Sequence, residues 1–163
     1  RSIAVSATSE VYVTDTGNKR VQVFGLDGSF KRMFGGEGNA PGQFKEQVGV
    51  ALDGDGNVWI ADTWNARIQK LSPDGAPLAQ IPVTGWESQN VSNKPYLAVS
   101  AQGRVIASFP EQNRLVVYGA DGQQLKDMPL PGNGAPVGVA VTADGRVLVA
   151  DARGNVVDAF PTP

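Results

Sequence analysis

The chain has 163 residues, 41% of them hydrophobic, which suits a packed domain rather than disorder. Histidine and cysteine are both absent, so within these residues Ser-His-Asp and Cys-His catalysis, histidine-ligated zinc, disulfides and thiolate metal sites are excluded. The formal charge of −2 gives no global attraction for nucleic acid or an anionic membrane, and no apolar run approaches the ~18 residues of a membrane span.

The first residues, Arg1 to Val5, read as a strand under way rather than a signal peptide. From there a period governs the chain. Asp27-Gly28, Asp74-Gly75 and Asp121-Gly122 lie 47 residues apart, as do Arg20, Arg67 and Arg114, and Val11, Val58 and Val105. A fourth copy follows after 42 residues, where Val147 and Asp151 answer Val105 and Phe109; the shortening falls before Gly138. The units span about 2–34, 48–83, 96–130 and 137–160. Within each, apolar residues alternate with period two, as in Val58 to Asp62 and Arg67 to Leu71, so half-buried strands are expected and no helix. The second unit parses as strands Gly49 to Leu52, Val58 to Ala61, Arg67 to Leu71 and Pro77 to Val83. Asp-, Asn- and Gly-rich turns join them. The fourth unit stops after its third strand, Asn155 to Phe160, so 15 strands are expected.

Four-stranded meanders this short bury one face poorly alone and must stack sheet on sheet. The stretches 11–44 and 48–75 resemble NHL repeats, with Asp15, Asp62 and Asp151 before the second hairpin loop and Arg20, Arg67 and Arg114 opening the strand after it. Phe109 stands where the third unit's Asp belongs, and Val156 where the fourth unit's Arg belongs. The resemblance implies an all-β propeller of four-stranded blades, strands a to d, in an incomplete ring of about 3.75 blades that belongs to a longer protein. Asp15, Arg20, Asp62, Arg67, Arg114 and Asp151 are expected to brace hairpins, a modest gain if exposed. Uncovered blade faces predict self-association.

Long connectors on a rigid scaffold are where function concentrates. The rim of b-to-c and d-to-a loops carries Phe44, Trp64, Trp86 and Tyr96, with Asn65 and Arg153 beside them, able to stack on sugars or peptide side chains. Trp64 and Trp86 are the better candidates, because Phe44 suits packing of its connector and Tyr96 the start of an inner strand. The rim charges Glu37, Lys45, Glu46, Glu87, Lys94, Glu111 and Arg153 are mixed in sign. Gly36 to Pro41 fails as a dinucleotide loop, since Pro41 takes the last glycine position and no helix follows. Asp53 to Asn57 has acidic spacing like a calcium loop but Trp64 at the twelfth position, so only weak Ca²⁺ binding is expected and no other cofactor.

The expected function is a non-catalytic binding or scaffold module for a protein or carbohydrate. Two alternatives follow from the resemblance: a propeller enzyme, lyase or lactonase-like hydrolase, with a central metal, and an RNA-binding NHL domain. The missing histidines argue against the first and the mixed charges against the second. Comparable propellers favour a bacterial, extracytoplasmic setting.

Overall fold

The computed structural model describes residues 1–86 and 94–161, and the chain divides into two compact units, Arg1–Ser88 and Gln89–Pro163. Glu87, one of the rim charges, and part of the connector at 84–95 lie outside the described residues.

The first unit holds two four-stranded antiparallel sheets, each in sequential order. One comprises β1 (Ile3–Val5), β2 (Glu10–Asp15), β3 (Arg20–Gly25) and β4 (Phe30–Gly35); the other comprises β5 (Gln47–Leu52), β6 (Val58–Asp62), β7 (Arg67–Leu71) and β8 (Pro77–Pro82). Period-two alternation turns one face of each sheet inward. The sheets meet over a shared core of Tyr12, Val21, Val23, Phe44, Val50, Val58, Ile60 and Leu71. Burying each such side chain stabilises by roughly 1.5–3 kcal/mol. Polar stitches add direction: Thr14 Oγ1 donates to Val48 O at 2.9 Å and Thr16 Oγ1 to Gln47 O at 2.7 Å.

The second unit repeats the plan with β9 (Leu97–Val99), β10 (Val105–Phe109), β11 (Arg114–Tyr118) and β12 (Gln124–Pro129), then a three-stranded sheet of β13 (Pro136–Val141), β14 (Val147–Asp151) and β15 (Val156–Phe160). Its core gathers Ile106, Leu115, Val117, Met128, Leu130, Val147 and Val149. Among the described residues the 15 strands match the sequence expectation, and the helical content is confined to 3-10 turns at Thr16–Asn18, Thr63–Asn65 and Pro110–Gln112.

Each of these turns joins strands b and c, and each closes on a left-handed residue: Lys19, Ala66 and Asn113, with Asn155 at the same place in the fourth blade. One backbone device therefore serves all four hairpins although the residue at that position is Lys, Ala and, twice, Asn. In strands β3, β7 and β11 the pairing with the outer strand shifts register near the c-to-d turn. Such a break in register, recurring at the same point in these three blades, goes with a stronger local twist.

Candidate functional site

The b-to-c hairpin of the second blade is built on Asp62. Its side chain is 0% exposed, and its Oδ2 accepts from Arg67 Nε at 2.9 Å, Asn65 Nδ2 at 2.8 Å and Gln69 Nε2 at 3.3 Å. Oδ1 accepts the Lys45 backbone N–H at 3.0 Å. Arg67 spends its remaining donors on the connector from the first blade, reaching Asn39 O at 2.7 Å, Ala40 O at 3.1 Å and Gln43 O at 2.8 Å, and on Gln80 Oε1 at 2.8 Å. A buried carboxylate is tolerable only when paired and fully hydrogen-bonded, and this one is both. The pair therefore does more than brace a hairpin, because it staples the connector to the blade.

The first blade repeats the arrangement nearer to solvent. Asp15 accepts from Arg20 Nε at 2.8 Å, Gln22 Nε2 at 3.0 Å and Asn18 Nδ2 at 3.0 Å. The Arg20 bond, then that of Asn18, holds the Asp15 carboxyl below its ordinary pKa.

On this locked turn stands Trp64, 39% exposed. Lys19 lies over its ring, 5.6 Å from the centroid, and also sits 3.7 Å from the buried Glu46, which Arg1 approaches at 3.8 Å. An indole flanked by a Lys-Glu-Arg group offers stacking area next to charge. The sequence reading missed Lys19 and Glu46 as neighbours of Trp64. The 47-residue register held the signal, since Lys19 occupies the left-handed place of the preceding hairpin. Asn65 turns inward, donating to Gly38 O at 2.9 Å as well as to Asp62. Trp86 is buried, 4% exposed. Phe44 is buried too, its ring so close to Gly35 that a Cβ there would lie 2.5 Å away, which only glycine permits.

In the second unit Tyr96 is half-buried just before β9, exchanging bonds with Ser108: its N–H donates to Ser108 Oγ at 2.9 Å and its carbonyl accepts the Ser108 N–H at 3.0 Å. Arg114, lacking an Asp at position 109, stacks over Phe109 at 4.8 Å and pairs with Asp127. Asp151 accepts through Oδ1 from Ala135 N at 2.8 Å, Arg153 N at 2.9 Å and Gly154 N at 2.9 Å. These backbone bonds, Gly154 foremost, hold its carboxyl below the ordinary value. Arg153 is exposed.

The acidic loop at Asp53 to Asn57 is satisfied from within. Asp53 accepts from the N–H groups of Asp55 and Asn57, the amide of Asn57, Trp59 Nε1 at 3.1 Å, and Lys70 at 3.2 Å. Burial pushes the Asp53 carboxyl up, but these bonds together outweigh it and leave the pKa lowered. Among the described residues no three acidic, histidine or cysteine side chains converge to hold a metal.

The NHL-repeat family model matches residues 1–24 and 48–71, the a-to-c strands of the first two blades. No curated protein matches the sequence. Solved structures do: virginiamycin B lyase from Staphylococcus aureus superposes with a TM-score of 0.71 at 17% identity, covering 99% of this chain and 55% of that one. A protein of unknown function from Bacteroides caccae gives 0.71 at 17% identity over 98% and 56%. The calcium-binding protein regucalcin from Agrobacterium tumefaciens gives 0.64 at 13% over 90% and 51%. The chain thus has the β-propeller fold and spans about half the length of these relatives. At such identities the likeness concerns the fold alone.

Proposed function

We propose that the chain is a non-catalytic binding module that engages a protein or carbohydrate partner through the b-to-c turns and the connector of its NHL repeats, with Trp64 as the anchor. The observation that carries this reading is an indole 39% exposed on a turn whose base, Asp62 and Arg67, is buried and fully bonded. A preorganised aromatic side chain loses little conformational entropy on binding. Lys19 and Glu46 beside it supply polar selectivity.

Lyase chemistry has less support. A virginiamycin B lyase with one histidine replaced by alanine is described as catalytically inactive, and these 163 residues contain no histidine. The carboxylates with shifted pKa values, such as Asp15, Asp53 and Asp151, are all lowered, which suits hydrogen-bonded clamps rather than proton donors near neutrality.

The test is a screen of the labelled protein on glycan and peptide arrays, followed by affinity measurement of each hit with Trp64→Ala. Affinity should fall roughly tenfold or more, as for a hot-spot tryptophan, with the urea midpoint unchanged. Full affinity in the variant for every hit would overturn the proposal.

A further inference from the structure

The fourth blade departs from the first two at the positions that hold their arginines. Five residues after the Asp stand Arg20 and Arg67, but Val156; seven after it stand Gln22 and Gln69, but Asp158. The strand register is the same in each case: Val13 faces Gln22, Ile60 faces Gln69 and Val149 faces Asp158. In the first two blades the guanidinium and the amide both donate to the Asp carboxylate. In the fourth blade both donors are gone, and a second carboxylate takes the place of one of them.

What remains is an opening of about 450 Å³ lined by Gly132, Asn133, Gly134, Asp151, Val156 and Asp158, among others. The connector before it is shorter than the one whose carbonyls at 39–43 hold Arg67, and its residues 131–134 line the opening rather than fill it. Asp151 is 7% exposed, and among the described residues nothing donates to its Oδ2. A second acceptor is left without a donor. Asn113 gives both amide hydrogens to carbonyls, Leu130 O at 3.1 Å and Gly132 O at 2.7 Å, which fixes the orientation of its amide and leaves its buried Oδ1 unsatisfied. Both oxygens crowd Gly134, lying 2.3 Å and 2.7 Å from where a side chain there would begin. Arg153 lines the same opening, so its charged side chains are two carboxylates and one guanidinium.

We propose that this vacated niche binds a guanidinium supplied from outside, namely an arginine side chain on a peptide segment of a partner. The chain itself shows what the frame accepts, since Arg67 seats on Asp62 in the same hairpin geometry. Planar, multiply donating guanidinium suits a carboxylate flanked by carbonyl and amide oxygens better than a compact ammonium does. A peptide arginine is favoured over the free amino acid because the latter brings an α-carboxylate toward Asp151 and Asp158.

The experiment is a titration of the ¹⁵N-labelled protein with N-acetyl-arginine amide, N-acetyl-lysine amide, free arginine and CaCl₂, following the amides of Gly132, Gly134 and Gly154. The capped arginine should shift these signals, with the capped lysine and free arginine weaker. Asp158→Asn should weaken the capped arginine roughly tenfold, the loss of one charge-assisted hydrogen bond. Val156→Arg should abolish binding and raise the melting temperature, because it rebuilds the internal pair; a dispersed spectrum in that variant shows that it folds. The proposal is overturned if CaCl₂ saturates the same signals more tightly than the capped arginine, if free arginine binds as well as the capped form, or if Val156→Arg leaves binding intact. This outcome is separate from that at Trp64, which belongs to the other unit and to a different assay.

Discussion

Asp62 and Asp151 end the same strand of the same repeat, yet they do different work. Around Asp62 the chain supplies an arginine, a glutamine, an asparagine and a long connector, and the carboxylate disappears into a closed set of bonds. Around Asp151, among the described residues, only backbone N–H groups answer, on one oxygen, and the other oxygen faces an opening. The backbone frame is the part of the repeat that the fold requires. The side chains placed on it decide whether the recurring acid is a rivet or an acceptor.

The largest expected effect breaks the closed arrangement. Asp62→Ala leaves the Arg67 guanidinium buried without its carboxylate, a change that costs about 3–5 kcal/mol. All three tryptophans, Trp59, Trp64 and Trp86, lie in the first unit, so their emission during urea unfolding reports its stability directly. Asp15→Ala removes the corresponding arginine, glutamine and asparagine bonds from a pair that is partly solvated, and its cost should be only ~1 kcal/mol. Equal midpoints for the two variants would show that burial does not separate the blades.

Acid should sharpen the comparison further. Arg32 holds Glu10 through bonds of 2.7 Å to each oxygen and lowers its pKa, as Arg20 does for Asp15. A carboxyl whose folded pKa is depressed stabilises the fold at every pH above its ordinary value and loses that contribution as pH falls through the folded value. Urea midpoints should therefore be flat from neutrality to about pH 5 and decline below about pH 4. Arg32→Gln should make the decline shallower, since Glu10 would then titrate near its ordinary value. An unchanged slope in that variant would remove Glu10 from the acid response.

Much of this molecule was legible from its repeat. The 47-residue interval, the period-two runs and the missing outer strand gave the strands within a residue or two, because turn chemistry and alternation are local. Burial was less legible where it depends on what a neighbouring segment does. Trp86 reads as a binding candidate in a polar connector for which packing is as good an account, and it is buried. Arg67 reads as a surface brace, but a connector 24 to 28 residues earlier in sequence folds over it. Asp158 stood in plain register with Gln22 and Gln69, and its meaning emerges only once the cavity beside Asp151 is seen.

The smallest effect lies at the edge of the fourth blade. Val21, Ile68 and Leu115 occupy the second position of their c strands, fully buried, and each faces an apolar residue of the outer strand: Phe34, Ile81 and Met128. Val157 holds the same position in β15 but is 68% exposed, and among the described residues β14 is the one strand that β15 pairs with. Ile68→Ala should cost ~2–5 kcal/mol, whereas Val157→Ala should stay within about 0.5 kcal/mol by calorimetry, because a methyl pair already in water leaves no cavity behind. A large loss at Val157 would mean that its side chain is covered in solution, and the equivalence of position among the four c strands would then extend to burial.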